Sequence, residues 1–267
     1  EEKEKVSVDG ALLLDKPPGV SSNAALQQTK RLFAAKKAGH GGTLDPLASG
    51  LLVAVFGEAT KFAGPLLEGD KEYVATLRLG ATTTTGDAEG QVVESKSIPE
   101  GVERAIPSVL EEFRGEIEQV PPMYSALKRD GVPLYKLARR GEEVERKPRR
   151  VAISQLELKD FSNPFMEIRV RCSKGTYIRS LAQDIGAALG CGAHLAALRR
   201  TASGRFRIED ASGVDALEAM TPAERAGRLL PISALLADLP RAELDEADAA
   251  RLRKGQALPI AGLAEGL

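Results

Sequence analysis

Apolar and polar positions alternate or cluster in blocks that predict most of the elements. Residues 11–14 form a short apolar run, predicting a buried strand ended by the turn Asp15-Lys16-Pro17-Pro18-Gly19. Ser22 then stands as a helix N-cap, with Leu26, Thr29 and Phe33 on one helical face. Residues 39–50 are rich in turn formers and predict a loop; 51–56 predict a buried strand, and 58–67 a short helix interrupted near Pro65. Alternation over 73–79 predicts another strand, followed by an open polar loop over 82–90. The helix over 102–113 must kink or start late to accept Pro107. After the break at Pro121-Pro122 comes a long polar excursion holding a short basic helix at 134–140. Residues 151–161 and 166–172 alternate cleanly, with Met166, Ile168, Val170 and Cys172 on one face, and predict adjacent strands. An amphipathic helix is expected over 178–189, ended by Gly190, then a strand fragment over 205–208 and two helical pieces over 216–239. Strands with helices packed between them predict an α+β fold with a mixed or antiparallel sheet.

Composition changes this picture little. The chain has 267 residues, 43% hydrophobic and 28% charged, enough for one large domain or two modest ones with a real core. No apolar run reaches the length of a membrane-spanning helix. Glu1 to Val6 is charged, so no signal peptide is visible, and two cysteines, Cys172 and Cys191, suit a reducing cytosol.

Charge changes it more. The net charge of −1 excludes a uniformly basic coat, yet the distribution is uneven. Residues 128–150 carry nine bases against four acids, a net of +5, whereas 209–250 carry ten acids against three bases, a net of −7. Arg199, Arg200, Arg205 and Arg207 add a second basic group, and Lys30, Arg31, Lys36 and Lys37 a third. Any one such cluster is most simply a solvated face. Three of them around glycine-rich and aromatic motifs fit a phosphate backbone, which needs local positive charge and not a high overall pI.

The motifs exclude several chemistries. His40, His194, Cys172 and Cys191 lack the spacing of a structural zinc site, and the deaminase signature is absent. There is no P-loop, no dinucleotide fingerprint and no nucleophile elbow. What remains is Gly39-His40-Gly41-Gly42-Thr43-Leu44-Asp45-Pro46-Leu47-Ala48-Ser49-Gly50. Glycines allow close backbone approach, and Pro46 keeps Asp45 out of the helical region. Asp45 is then either an ordinary turn carboxylate or one presented on a rigid loop between apolar elements.

That segment resembles the catalytic motif of the TruB family of tRNA pseudouridine synthases, and it does not stand alone. Leu13-Leu14-Asp15-Lys16-Pro17-Pro18-Gly19 with Ser21-Ser22, Gly57-Glu58-Ala59-Thr60-Lys61-Phe62, and Tyr73 to Gly80 followed by Thr83, Thr85, Asp87 and Gly90 are similar to family motifs. So are Pro121-Pro122-Met123-Tyr124-Ser125-Ala126-Leu127-Lys128, Cys172-Ser173-Lys174-Gly175-Thr176-Tyr177-Ile178-Arg179, and Gly190 to Arg200. They occur in family order over roughly residues 10–205. The resemblance implies the pseudouridine-synthase fold, α+β with a central, mainly antiparallel mixed sheet flanked by helices. It implies isomerisation of the T-arm uridine 55 of tRNA by a cytoplasmic, monomeric enzyme that needs no metal, cofactor, membrane or protein partner. It carries the catalytic role to Asp45, as nucleophile or base at the sugar, and its pairing cation to Arg179. Tyr73 matches the aromatic that stacks on the extruded base, Tyr177 and Leu198 match pocket walls, and His40 matches the residue that helps displace the target base or fills its place. Lys16 supports the turn, and Lys128, Arg129, Arg139 and Arg140 grip RNA phosphates.

The family pattern also sets expectations for domains. Residues 1–9 form a flexible lead and 10–238 the catalytic domain, with an RNA-clasping insertion at about 121–150. Residues 239–267 resemble the start of a PUA-like RNA-binding domain, apparently truncated, since the 27 residues from Arg241 cannot close a barrel. Thr84 stands where the family often carries an acid. Two other functions fit the same residues: a tRNA folding chaperone, and a guide-RNA-dependent, dyskerin-type catalytic subunit.

Overall fold

The computed structural model describes residues 5–259. Its frame is one mixed sheet, in spatial order Ser212–Gly213, Gly10–Lys16, Ser49–Phe56, Ala193–Ser203, Lys71–Leu79, Phe165–Cys172, Arg149–Ser162 and Gly115–Gln119. Two short strands, Ala38–Gly41 and Phe206–Arg207, pair beside Ser49–Phe56 and Ala193–Ser203. Gly10–Lys16 pairs parallel with Ser212–Gly213, and Ser49–Phe56 pairs parallel with Ala193–Ser203; the other pairings are antiparallel. The expected α+β class with a mainly antiparallel sheet is what the chain forms.

Burial explains the layers. Helix Ile178–Ala188 and helix Ile106–Glu112 cover one region of the sheet, where Leu77, Ile153, Ile168, Leu181 and Ile185 are almost fully buried. Helices Ser22–Leu32 and Val214–Ala219 close a second cluster around Leu12, Leu14 and Phe56. On the opposite face, Leu13, Val53 and Val55 pack under Leu66 and Leu235. Each fully buried aliphatic side chain contributes roughly 1.5–3 kcal/mol relative to exposure, so the strands are held chiefly by what covers them.

Several boundaries differ from the sequence reading, for local reasons. The N-cap of the first helix is Ser21, whose side chain accepts the Ala24 N–H; Ser22 is the first helical residue and turns inward. The stretch predicted as one loop over 39–50 begins and ends in strands, because its glycines pair in Ala38–Gly41. The helix around Pro107 starts late, at Ile106, where a proline fits the first turn. The polar loop after Leu79 includes a hairpin, Ala81–Thr83 with Val92–Ser95. The acidic region folds as Val214–Ala219, Pro222–Ala226 and a 3-10 turn at Ile232–Leu236 rather than two pieces. The two longest strands outside any stretch the sequence assigns to a strand are Gly115–Gln119 and Ala193–Ser203.

At the ends, Val6 N–H donates to Ala34 O, and Asp9 Oδ1 accepts the Glu58 N–H; residues 1–4 of the expected flexible lead lie outside the described residues. Within the expected PUA-like segment, the described part holds the exposed helix Glu246–Arg253, capped by Asp245; residues 260–267, the end of that segment, also lie outside. No described helix is long and apolar enough to cross a membrane.

Candidate active site

The glycine-rich segment is fixed by two remote side chains, Arg200 and Ser22, and by backbone bonds. Gly42 has φ +80° and lies against the Arg200 guanidinium, which donates to Gly42 O at 2.8 Å and to Leu51 O at 2.8 Å. Gly50 has φ +104°, and a Cβ there would sit 2.3 Å from Arg200 O, so only glycine fits between the paired strands. Ser22 Oγ accepts the Leu44 N–H and donates to Leu44 O, both at 2.8 Å. Asp45 O accepts the Ala48 N–H, and Pro46 O accepts the Gly19 N–H from the Pro-Pro-Gly turn. The Asp45 backbone is therefore pinned on both sides while its side chain stays 45% exposed.

Asp45 Oδ2 lies 3.1 Å from Arg179 Nε. Arg179 sits in the first turn of helix Ile178–Ala188, and its side chain is only 7% exposed. Nη1 donates to Thr85 O at 3.1 Å and Nη2 to Tyr124 O at 2.7 Å. All three guanidinium nitrogens thus face oxygen, which offsets the cost of burying the charge. The loop bearing Thr85 is shaped by Asp87, whose Oδ1 accepts from Thr85 Oγ1 at 2.6 Å and from the Glu89 N–H at 3.0 Å. Thr84, the departure from the family pattern, uses its Oγ1 to accept the Gln91 N–H.

Around this pair lies a pocket of about 190 Å³ walled by Thr43, Tyr73, Ser125, Tyr177 and Leu198, with Asp45 and Arg179 on its surface. Leu198 stands opposite Ala75 and Arg200 opposite Tyr73 on paired strands, so Leu198, Tyr73 and Arg200 share one face of the sheet. Burial pushes the Tyr73 phenol up from its ordinary range, against the pull of Arg200 beside it. Tyr177, the residue before the helix, is held by Gln119, whose Oε1 accepts its N–H at 3.0 Å and whose Nε2 donates to its carbonyl at 3.1 Å.

His40 and Lys16 are placed outside the pocket wall. His40 lies on Ala38–Gly41 opposite Ala54, its Nδ1 buried without a partner; burial first, and Arg200 second, lower its pKa. Lys16 is fully buried and donates to Pro17 O and Val20 O. Burial lowers the Lys16 ammonium pKa, while the Asp45 and Glu89 carboxylates pull it the other way. Glu89 is pushed up by burial, then by Asp87 and Asp45.

The insertion forms a separate basic site. Lys128 and Arg129 line a cavity of about 380 Å³ with Arg146, Lys147 and Arg149. Arg146 Nε is buried there with no partner. Arg139 packs over the Tyr135 ring at 5.4 Å, and Arg139 and Arg140 are exposed but do not line the cavity. Among the described residues, no three His, Cys, Asp or Glu side chains gather as a metal site would require.

Sequence reasoning missed Ser22 as a clamp, together with Gln119, Ser125, Arg200 and Glu89. Ser22 carried a signal, since two serines at the turn could not both be the cap. Gln119 and Arg200 act through contacts far apart in sequence that no local pattern encodes.

The chain is similar to known proteins over nearly its whole length. The family described as TruB family pseudouridylate synthase, N-terminal domain, matches residues 30–178, and the tRNA pseudouridylate synthase B C-terminal domain matches 179–249. A tRNA pseudouridine synthase B from Burkholderia mallei (strain NCTC 10247) is 58% identical over 97% of this chain and 85% of its own length. One from Azoarcus sp. (strain BH72) is 60% identical over 94% of this chain and 83% of its own. Among solved structures, a Cbf5-Nop10-Gar1 complex superimposes with TM-score 0.72 at 32% identity, covering 92% of this chain and 67% of the other. The glycine-pinned carboxylate, the sheet that carries it and the matched sequence over nearly the whole length lead to one conclusion: the chain belongs to the TruB family of pseudouridylate synthases.

Proposed function

We propose that this chain isomerises the T-arm uridine 55 of tRNA to pseudouridine, without cofactor, on a base extruded into the Asp45 pocket. The observation that carries the reading is the half-exposed Asp45 carboxylate 3.1 Å from the buried Arg179, beside Tyr73 and Leu198. In the reaction the N1–C1′ bond breaks, the base turns, C5 bonds to C1′, the C5 proton leaves and N1 takes one up. Asp45 supplies the anionic oxygen at the sugar, and Arg179 holds it in place. Tyr73, kept neutral by burial, offers a face on which the uracil stacks, worth roughly 1–3 kcal/mol. Tyr177 and Leu198 bound the ring, and His40, behind the glycine loop, fills the space the base vacates. Lys16 holds the turn that supports Pro46.

The tRNA names of the 58–60% identical relatives support tRNA as substrate. Lys128, Arg129, Arg139 and Arg140 grip phosphates around the target loop. In this reading residues 10–238 are the catalytic unit, 121–150 its RNA clasp and 239–267 the start of a PUA-like module, acting as a cytoplasmic monomer. A guide-dependent role is a second reading, favoured by the similarity to the Cbf5 chains.

The test is incubation of the pure protein with unmodified tRNA alone, followed by carbodiimide mapping. Wild type is expected to mark uridine 55. Asp45→Ala is expected to leave no mark while retaining tRNA binding, the rate falling by roughly a thousandfold or more. Product from Asp45→Ala at the wild-type rate defeats the assignment. Product only when guide RNA is added favours the second reading, and tRNA refolding that persists in Asp45→Ala separates chaperone action from turnover.

A further inference from the structure

We infer that Gln119 is a positioning residue through which the basic insertion sets the Asp45–Arg179 pair; this rests on the reading of that pair as the reacting groups. Gln119 is 1% exposed and ends strand Gly115–Gln119, immediately before Val120 and Pro121-Pro122. Its backbone stands opposite Arg149, where the chain returns from the insertion. It is thus the root of the 121–150 excursion. Its side chain points away from the sheet ladder and holds both polar main-chain groups of Tyr177, 58 residues away, at 3.0 and 3.1 Å.

Two further bonds join the same short segments. Ser180 Oγ donates to Val120 O at 2.9 Å, and Arg179 Nη2 donates to Tyr124 O at 2.7 Å. Residues 119–124 therefore touch 177, 179 and 180, the first turn of the helix that presents Arg179. The glutamine alone among these contacts fixes both the donor and the acceptor of one peptide position, so it sets direction as well as distance.

On the other side the chain continues into Ser125, whose buried hydroxyl lacks a partner in the pocket wall, and then into Lys128 and Arg129 at the basic cavity. A phosphate held by those cations acts on a segment to which Arg179 and Ser180 are bonded. Binding energy gained at the insertion is in this way available to orient the guanidinium and, through it, Asp45.

The test uses the full chain with unmodified tRNA, measuring single-turnover pseudouridine formation at saturating enzyme, tRNA Kd and thermal melting. Gln119→Met, which neither accepts the N–H well nor donates, is expected to slow the saturated rate by about tenfold or more while Kd changes by less than about threefold. Gln119→Glu carries its own internal control. As a carboxylate it accepts from Tyr177 N–H but cannot donate to Tyr177 O; as a neutral acid it does both. Its rate relative to wild type is therefore expected to recover as pH falls, at a temperature where both are folded. Should Gln119→Met fail to fold, Gln119→Glu and Ser180→Ala decide the matter. Saturated rates equal to wild type, or a Gln119→Glu deficit that does not respond to pH, overturn the role. A wild type that forms no pseudouridine defeats the functional reading beneath it, whereas an active wild type beside unimpaired variants defeats the Gln119 role alone.

Discussion

The aspartate pocket and the basic cavity of the insertion are built by opposite means. The pocket is small, and its walls are tied to the sheet by buried side chains that reach far along the sequence: Ser22 to Leu44, Arg200 to Gly42, Gln119 to Tyr177, Arg179 to Thr85 and Tyr124. The insertion cavity has twice the volume and exposed walls. Its hydrogen bonds are mostly local, such as Leu134 N–H to Leu127 O and Tyr135 N–H to Ser125 O. One region pins the backbone that carries a carboxylate; the other gathers positive charge on a segment held mostly by local bonds. Chemistry on a single base needs the first, and holding a variable backbone needs the second.

The comparison breaks most sharply at Arg179. Arg179→Lys keeps the charge but replaces a planar fork with one ammonium, which cannot reach Asp45, Thr85 O and Tyr124 O at once. The saturated isomerisation rate is expected to fall by roughly 10²–10³-fold, an effect of the size seen when a preorganised electrostatic contact is lost. A rate within about threefold of wild type in rapid-quench assays shows that charge alone suffices and that rigidity is not what the pocket supplies.

The same contrast governs what can be read from the sequence. A continuous apolar run, buried on both faces, locates Gly10–Lys16, and alternation locates Lys71–Leu79, Arg149–Ser162 and Phe165–Cys172, each with a local stop signal. Ala193–Ser203 escapes, although it lies in the middle of the sheet and carries Leu198 and Arg200. Its Ala-His-Leu-Ala-Ala-Leu-Arg-Arg run is rich in helix formers, and two bulges against Lys71–Leu79 disrupt the period of two. Tertiary pairing on both edges overrides that local preference. Gly115–Gln119 escapes for the converse reason: it is a sheet edge with glutamates exposed, so it lacks the apolar pattern of a core strand. At the site, Asp45 and Tyr73 stand in motifs, and the family resemblance extends to Arg179. Gln119 and Arg200 do not announce themselves, since a clamp is defined by its distant partner.

A smaller effect is expected at the insertion, and it differs in kind. Replacing Arg146 and Arg149 together by alanine removes two cavity cations, one of them with its Nε buried and unpartnered. Affinity for tRNA is expected to weaken, with the slope of log K against log salt reduced by about 2. Lys128, Arg129 and Lys147 remain at the cavity to hold the segment that leads to Arg179, so the saturated isomerisation rate should stay within about threefold of wild type. Filter binding across a salt series checks the slope. An unchanged slope together with a collapsed rate reverses the comparison, placing the cavity in the chemistry and not in the grip.

The finest distinction concerns His40, which belongs to the rigid region yet lies outside the pocket wall. Its imidazole is half-buried, with Nδ1 buried and unpartnered, and feels the Arg200 charge, so both influences disfavour the protonated ring and hold its pKa below the ordinary 6.5. A depressed folded-state value means that the unfolded chain takes up the proton first as pH falls. The neutral ring's contribution to stability is thus fully present above that ordinary value and is lost as pH drops through the folded one. His40→Gln keeps an uncharged polar group of similar reach and cannot titrate. Urea unfolding of wild type is expected to show stability declining from about pH 7 to about pH 5.5, with a shallower decline in His40→Gln. Other groups also titrate there, so the difference between the two slopes, and not either slope alone, reports the histidine. Parallel slopes would mean that the strand Ala38–Gly41 yields enough to hydrate the charged ring, making the glycine-rich segment softer than its clamps imply.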